Sequence, residues 1–99
     1  SKKYVAPTTD IEKQLVKIWE ELLGVERIGI YDNFFELGGH SLLATRLVSM
    51  IRKELSIEIS IQEVFEHPMT GELASLIEFF EQNHEDDDDK ENYNITIEI

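Results

Sequence analysis

The sequence predicts an all-α fold: a small four-helix bundle of three main helices and one short helix, with a long first loop and a flexible acidic tail. Three observations predict it. Apolar residues recur at steps of three and four in separate stretches, the spacing of helices with one buried face. Capping residues stand before those stretches, and Gly24 and Pro68 stand after two of them. Finally, the body holds no pair of alternating apolar–polar runs that could form a sheet.

The elements follow in order. Residues 1–8 read as an N-terminal arm or linker, in which Pro7 blocks helix. The compact domain is expected over residues 9–82. Thr9-Asp10-Ile11-Glu12 fits the S/T-x-x-E capping box, so helix 1 is expected from about Asp10 to Leu23. Ile11, Leu15, Ile18 and Leu22 form its buried stripe, widened by Trp19 and Leu23, and Gly24 supplies the stop. Residues 24–40, GVERIGIYDNFFELGGH, form a long loop. Val25, Ile28, Ile30, Phe34, Phe35 and Leu37 make it too apolar to float in water, so it is expected to be pinned to the helices. Asp32 and Asn33 supply turn chemistry. Helix 2 is expected from Ser41 to Leu55, with Leu43, Leu47, Met50 and Ile51 inward and Leu42, Val48 and Leu55 flanking. Ile57 and Ile59 belong to an extended loop. A short helix runs from Ile61 to Phe65, capped by Ser60 with Glu63 in its first turn, and His67-Pro68 ends it. The last helix starts at Thr70 and reaches about Phe80, with Leu73, Leu76, Ile77 and Phe80 inward.

Composition excludes several classes of function. The 99 residues suffice for one small domain, too small for a deep catalytic cleft. There is no cysteine, hence no disulfide framework and no thiolate metal site. No apolar run approaches a membrane span and no secretory h-region is present, so a soluble, cytoplasmic protein is expected. The formal net charge is −12, and residues 85–99, with seven acids and one base, hold half of it. That charge opposes nucleic acid, whose phosphates need Lys and Arg. It favours basic protein partners and salt-sensitive encounters.

Ser41 admits three readings. As a nucleophile it fails the G-x-S-x-G pattern, because Leu43 stands where the second glycine belongs. The motif also needs a large α/β sheet, and His40 is adjacent in sequence rather than placed as a base. As a plain N-cap, Ser41 fits the start of an apolar helix, and local grounds favour this reading. As an attachment point it sits where free N–H groups and the positive helix end accommodate a phosphate. Gly38 and Gly39 would then leave room for a second protein to reach the hydroxyl.

The stretch DNFFELGGHSLLATRLVSMIRKEL, Asp32 to Leu55, closely resembles the core motif of thiolation (peptidyl carrier) domains of nonribosomal peptide synthetases. The family pattern, Asp-Asn/Asp-Phe-Phe-x-x-Gly-Gly-His/Asp-Ser-Leu, is matched throughout, and the resemblance extends over most of residues 4–81. It implies a bundle of the acyl carrier type and a non-catalytic role. Ser41 would carry 4′-phosphopantetheine, delivered from coenzyme A by a phosphopantetheinyl transferase, with Gly38, Gly39, His40 and Leu42 as the flanking motif. An aminoacyl or peptidyl group would be held as a thioester, loaded by an adenylation domain and drawn on by condensation domains. The isolated domain is expected to be a monomer without a metal. Leu42, Met69 and one of Val64 or Phe65 are candidate apolar partner contacts. Core burial is the competing reading for Val64 and Phe65, favoured for Phe65, and Met69 stands open between filler and contact. Arg46 and Lys53 read as solvated charges.

Residues 83–99 differ in kind. An acidic run containing Asp86, Asp87, Asp88 and Asp89 leads into Tyr93, Ile95, Ile97 and Ile99, which alternate with polar residues. One reading is a docking segment that adds a strand to the N-terminal docking domain of a downstream synthetase subunit. A linker cut from a longer chain is another. The third is added sequence, since Asp86–Lys90 resembles an engineered protease site.

Overall fold

A computed structural model of the chain describes residues 3–83. The expectations for Asp86–Asp89, Tyr93, Ile95, Ile97 and Ile99 lie outside the described residues. Among those described, the regular structure is four helices: α1 (Asp10–Leu23), α2 (Ser41–Leu55), α3 (Ile61–Glu66) and α4 (Thr70–Gln82). A single antiparallel bridge joins Asn33 to Met69. The expected fold class is therefore found, with α3 and α4 extending one and two residues beyond their expected ends.

Local chemistry explains the helix ends. Both predicted caps close full capping boxes. The Glu12 N–H donates to Thr9 Oγ1 at 3.0 Å while Glu12 Oε1 accepts from the Thr9 N–H at 3.1 Å. Ser60 and Glu63 repeat the exchange at 3.1 and 2.8 Å. Gly24 ends α1 at φ 68°, its N–H donating to the Glu20 carbonyl. Ser56 takes the same left-handed conformation at the end of α2.

α1 packs against α2 and α4, and α3 packs on α2. Between them lies one apolar cluster with Leu15, Trp19, Phe34, Leu47, Ile51, Val64, Leu73 and Ile77 fully buried. Burial of this face, more than intrinsic propensity, stabilises helices of this length. The buried line of α2 runs through Ala44, Leu47 and Ile51. Leu43 and Met50, expected inside, flank it and are only partly buried. Ile57 and Ile59 are buried without forming a strand. Trp19 Nε1 and Thr70 Oγ1 are buried without a hydrogen-bond partner among the described residues.

Phe65 departs from the favoured expectation. It is 48% exposed, while its neighbour Val64 is fully buried. A helix of six residues presents one inward position per turn, and Val64 occupies it.

Candidate functional site: the start of helix α2

The loop over residues 24–40 is tied down by its own polar groups and by the start of α4. Asp32 Oδ2 accepts the Gly29 N–H at 2.7 Å. Asn33 Oδ1 accepts the N–H groups of Phe35 and Glu36 at 2.8 and 3.1 Å, an Asx turn. The Phe34 N–H donates to the Pro68 carbonyl at 2.9 Å and the Gly71 N–H to the Ile30 carbonyl at 2.8 Å. Phe34 drives its ring into the core, edge-on to Trp19 with centroids 5.3 Å apart. The expected pinning of the loop is thus present, and it fixes where α2 begins.

Both glycines before Ser41 have reasons inside the fold. A Cβ on Gly39 would meet the Phe34 ring and come within 2.7 Å of the Phe34 carbonyl oxygen. That oxygen accepts the Gly39 N–H at 2.9 Å. Gly38 has open space around it but sits at φ +112°, a conformation L residues rarely adopt. One glycine is thus demanded by close packing and the other by backbone conformation. Clearance for another protein is not needed to explain either.

His40, extended at φ −150°, is the N-cap, and its carbonyl accepts the Ala44 N–H at 2.8 Å. Its side chain makes no capping bond. Ser41 is the first helical residue and not the cap, so its hydroxyl is not engaged as the plain-cap reading requires. The side chain is exposed, and no hydrogen bond of Ser41 Oγ occurs among the described residues. The Ser41 carbonyl accepts from Thr45 Oγ1 at 3.1 Å. The N–H groups of Ser41, Leu42 and Leu43 have no intrahelical acceptor. The first turn of α2 has no acidic residue, whereas those of α1, α3 and α4 carry at least one. The positive helix end is therefore not compensated by an acid within its own first turn. A phosphodiester on Ser41 fits this arrangement: the hydroxyl is accessible, free amides lie beside it, and no carboxylate in that turn opposes its charge.

Apolar side chains also reach the surface on α2, on α3 and in the loop before α4. Leu42 is 60% exposed, on the side of α2 opposite the core. Phe65 lies on the outer side of α3 and stacks on half-buried Phe35 with centroids 5.1 Å apart. Met69, half-buried, faces Asn33 across the bridge. The Phe35–Phe65 stack had no sequence signal, because it forms across thirty residues between a loop and a short helix. Arg46 and Lys53 are exposed, as solvated charges are. A shallow open cleft of about 290 Å³ lies between the starts of α1 and α4, lined by residues that include Glu12, Tyr31 and Glu72, and Ser41 is not part of it.

Known proteins resemble the chain over most of its length. A family model described as a phosphopantetheine attachment site matches residues 13–77. Gramicidin S synthase 2 of Brevibacillus brevis is 51% identical over 75 residues, covering 76% of this chain and 2% of the relative. Tyrocidine synthase 2 of Brevibacillus parabrevis is 50% identical over 80 residues, covering 81% of this chain and 2% of the relative. The chain thus spans a small fraction of these synthetases. Among solved structures, a peptidyl carrier protein in complex with the phosphopantetheine transferase Sfp and coenzyme A superposes at a TM-score of 0.75. It is 41% identical, and the match covers 77% of this chain and 99% of that one. A non-covalent extended docking domain complex of the Pax nonribosomal peptide synthetase gives 0.79 at 42% identity, covering 97% of this chain and 92% of that one.

Proposed function

The chain belongs to the phosphopantetheine-attachment family, as a non-catalytic peptidyl carrier of the nonribosomal peptide synthetases, and from that premise we propose that Ser41 bears the group. The observation that carries this is the exposed, unengaged Ser41 hydroxyl at a helix start whose first turn lacks acids. When attached, 4′-phosphopantetheine supplies a terminal thiol that holds an aminoacyl or peptidyl group as a thioester. The residues of this chain do the rest. Gly38 and Gly39 set the loop end, His40 starts the helix, and the amides of residues 41–43 face the phosphate charge.

Leu42, Met69 and the exposed Phe65 form the apolar contacts for the enzymes that modify, load and unload the carrier: a phosphopantetheinyl transferase, an adenylation domain and condensation domains. Exposed apolar side chains beside a functional group are where such partners gain affinity. The likeness to a carrier–transferase complex supports the first of these partners. The test is loading. After treatment with coenzyme A and a transferase, a cognate adenylation domain with ATP and its amino acid adds a hydroxylamine-labile label. Ser41→Ala stays unlabelled at every stage. A labile label on Ser41→Ala would place the attachment elsewhere.

The segment 92–99 docks to a downstream subunit by strand addition in this reading, with Tyr93, Ile95, Ile97 and Ile99 setting specificity and Asp86–Asp89 meeting basic residues. The likeness to the docking domain complex, which extends over 97% of the chain, supports it. Deleting 92–99 abolishes calorimetric binding to a downstream N-terminal docking domain and leaves phosphopantetheinylation intact. Added salt weakens the complex of the full chain. Unchanged affinity after the deletion would make the segment a linker or added sequence.

A further inference from the structure

Terminal arms are commonly loose unless something ties them. Residues 4 and 5 are tied three ways, all to the segment 27–30. The Ile30 N–H donates to the Val5 carbonyl at 2.9 Å. The Arg27 guanidinium carbon lies 4.2 Å from the centre of the Tyr4 ring. Arg27 holds that position from φ 60°, an uncommon conformation for a residue other than glycine. The third tie is Gly29. Its φ lies outside the left-handed region, so its backbone would accept an ordinary residue. What excludes a side chain there is the arm itself: a Cβ would come within 2.7 Å of the Val5 oxygen and 3.0 Å of the Tyr4 ring. A glycine at position 29 is needed only while the arm is docked.

We propose that Tyr4 and Val5 form a clasp with the 27–30 segment that fixes the direction in which the chain enters the helical body, with Arg27 and Gly29 as positioning residues. The segment is itself anchored, through the Asp32 carboxylate on the Gly29 N–H and the Gly71 N–H on the Ile30 carbonyl. The clasp therefore joins the arm to the start of α4 rather than to a free loop. Its consequence for delivery rests on the carrier reading above: a tethered carrier reaches its enzymes from an angle set by its tether. An exposed cation–π contact shifts an equilibrium by about 2- to 5-fold. Losing the Tyr4 ring lowers the docked-to-free ratio of the arm by at least that factor.

The chain has no cysteine, so two introduced thiols can be labelled uniquely. Spin labels at Lys3→Cys and Lys53→Cys report the arm against α2. A narrow distance distribution is expected in this background and with Tyr4→Phe, which keeps the ring. Tyr4→Ala and Gly29→Ala broaden it. Thermal melting adds a test of sign. Gly29→Ala lowers the midpoint if the arm is docked, whereas alanine at an unobstructed glycine raises it. A distribution in the parent as broad as in Gly29→Ala, or a raised midpoint, overturns the clasp. With an adenylation domain joined ahead of Ser1, Gly29→Ala lowers the loading rate in cis and leaves loading in trans unchanged. Equal rates in cis overturn the positioning role. Failure of Ser41 to accept the group would defeat the carrier reading and leave the label distances as they are.

Discussion

Adding one methyl group at Gly39 puts a carbon where the Phe34 ring already lies. The ring cannot swing away, because it is fully buried and edge-on to both Trp19 and Phe35 with centroids 5.3 Å from each. Forcing an extra carbon into such packing costs about 1–3 kcal/mol. Straining the Gly39 N–H bond to the Phe34 carbonyl adds about 0.5–1.5 kcal/mol. Gly39→Ala is therefore expected to lose roughly 2–4 kcal/mol. With a urea slope of about 1 kcal/mol/M, suited to a small domain, the unfolding midpoint falls by about 2 M or more. The origin is separable. Phe34→Leu in the same chain returns part of the loss, giving a coupling of at least about 0.5 kcal/mol. Gly38→Ala, which meets open space and suffers only from φ +112°, costs about 1–3 kcal/mol and gains nothing from Phe34→Leu. A Gly39→Ala midpoint within about 0.3 M of the parent, or a loss independent of Phe34, would refute the packing explanation.

Leu47→Ala removes a fully buried side chain and costs about 2–5 kcal/mol in urea titration, whereas Leu42→Ala, at 60% exposure, stays within about 0.5 kcal/mol. Thr9→Ala loses about 1 kcal/mol by removing the α1 cap, measured the same way. The Glu12 carboxyl is held below its ordinary value of 4.5, chiefly by the Thr8 N–H; burial opposes this as the next largest effect, and the Thr9 N–H and the Thr8 hydroxyl add smaller lowering effects. A depressed value means stability that is present above the ordinary range and lost as pH falls through the folded one. Glu12→Ala is accordingly less stable than the parent at pH 7, and the gap in melting midpoint narrows as pH falls below the ordinary carboxylate range.

Helix limits were legible wherever a side chain closes its own helix end. Thr9-x-x-Glu12 and Ser60-x-x-Glu63 exchange bonds within four residues, so their geometry is carried by local sequence. Gly24 is legible for the same reason. The inward face of α2 was less so, because small Ala44 gives a weak signal beside Leu43 and Met50. Phe65 was misplaced because a helix of six residues is too short for its period to show which residue turns inward. At the site, the sequence exposed Ser41 and its helix start but not the cap, which His40 takes by backbone conformation alone. The reason for Gly39 depends on how the loop folds back on Phe34, and no local pattern states that. The same holds for Gly29, whose neighbour is the N-terminal arm.

Attachment at this site turns on one oxygen atom, Ser41 Oγ. Incubation of the chain with coenzyme A and a broad-specificity phosphopantetheinyl transferase, followed by intact mass and fragmentation of the peptide spanning residues 28–46, locates any adduct. One pantetheine group on Ser41, absent from Ser41→Ala, is the expected result. A modified Ser41→Ala chain, or an adduct on Thr45, would contradict it.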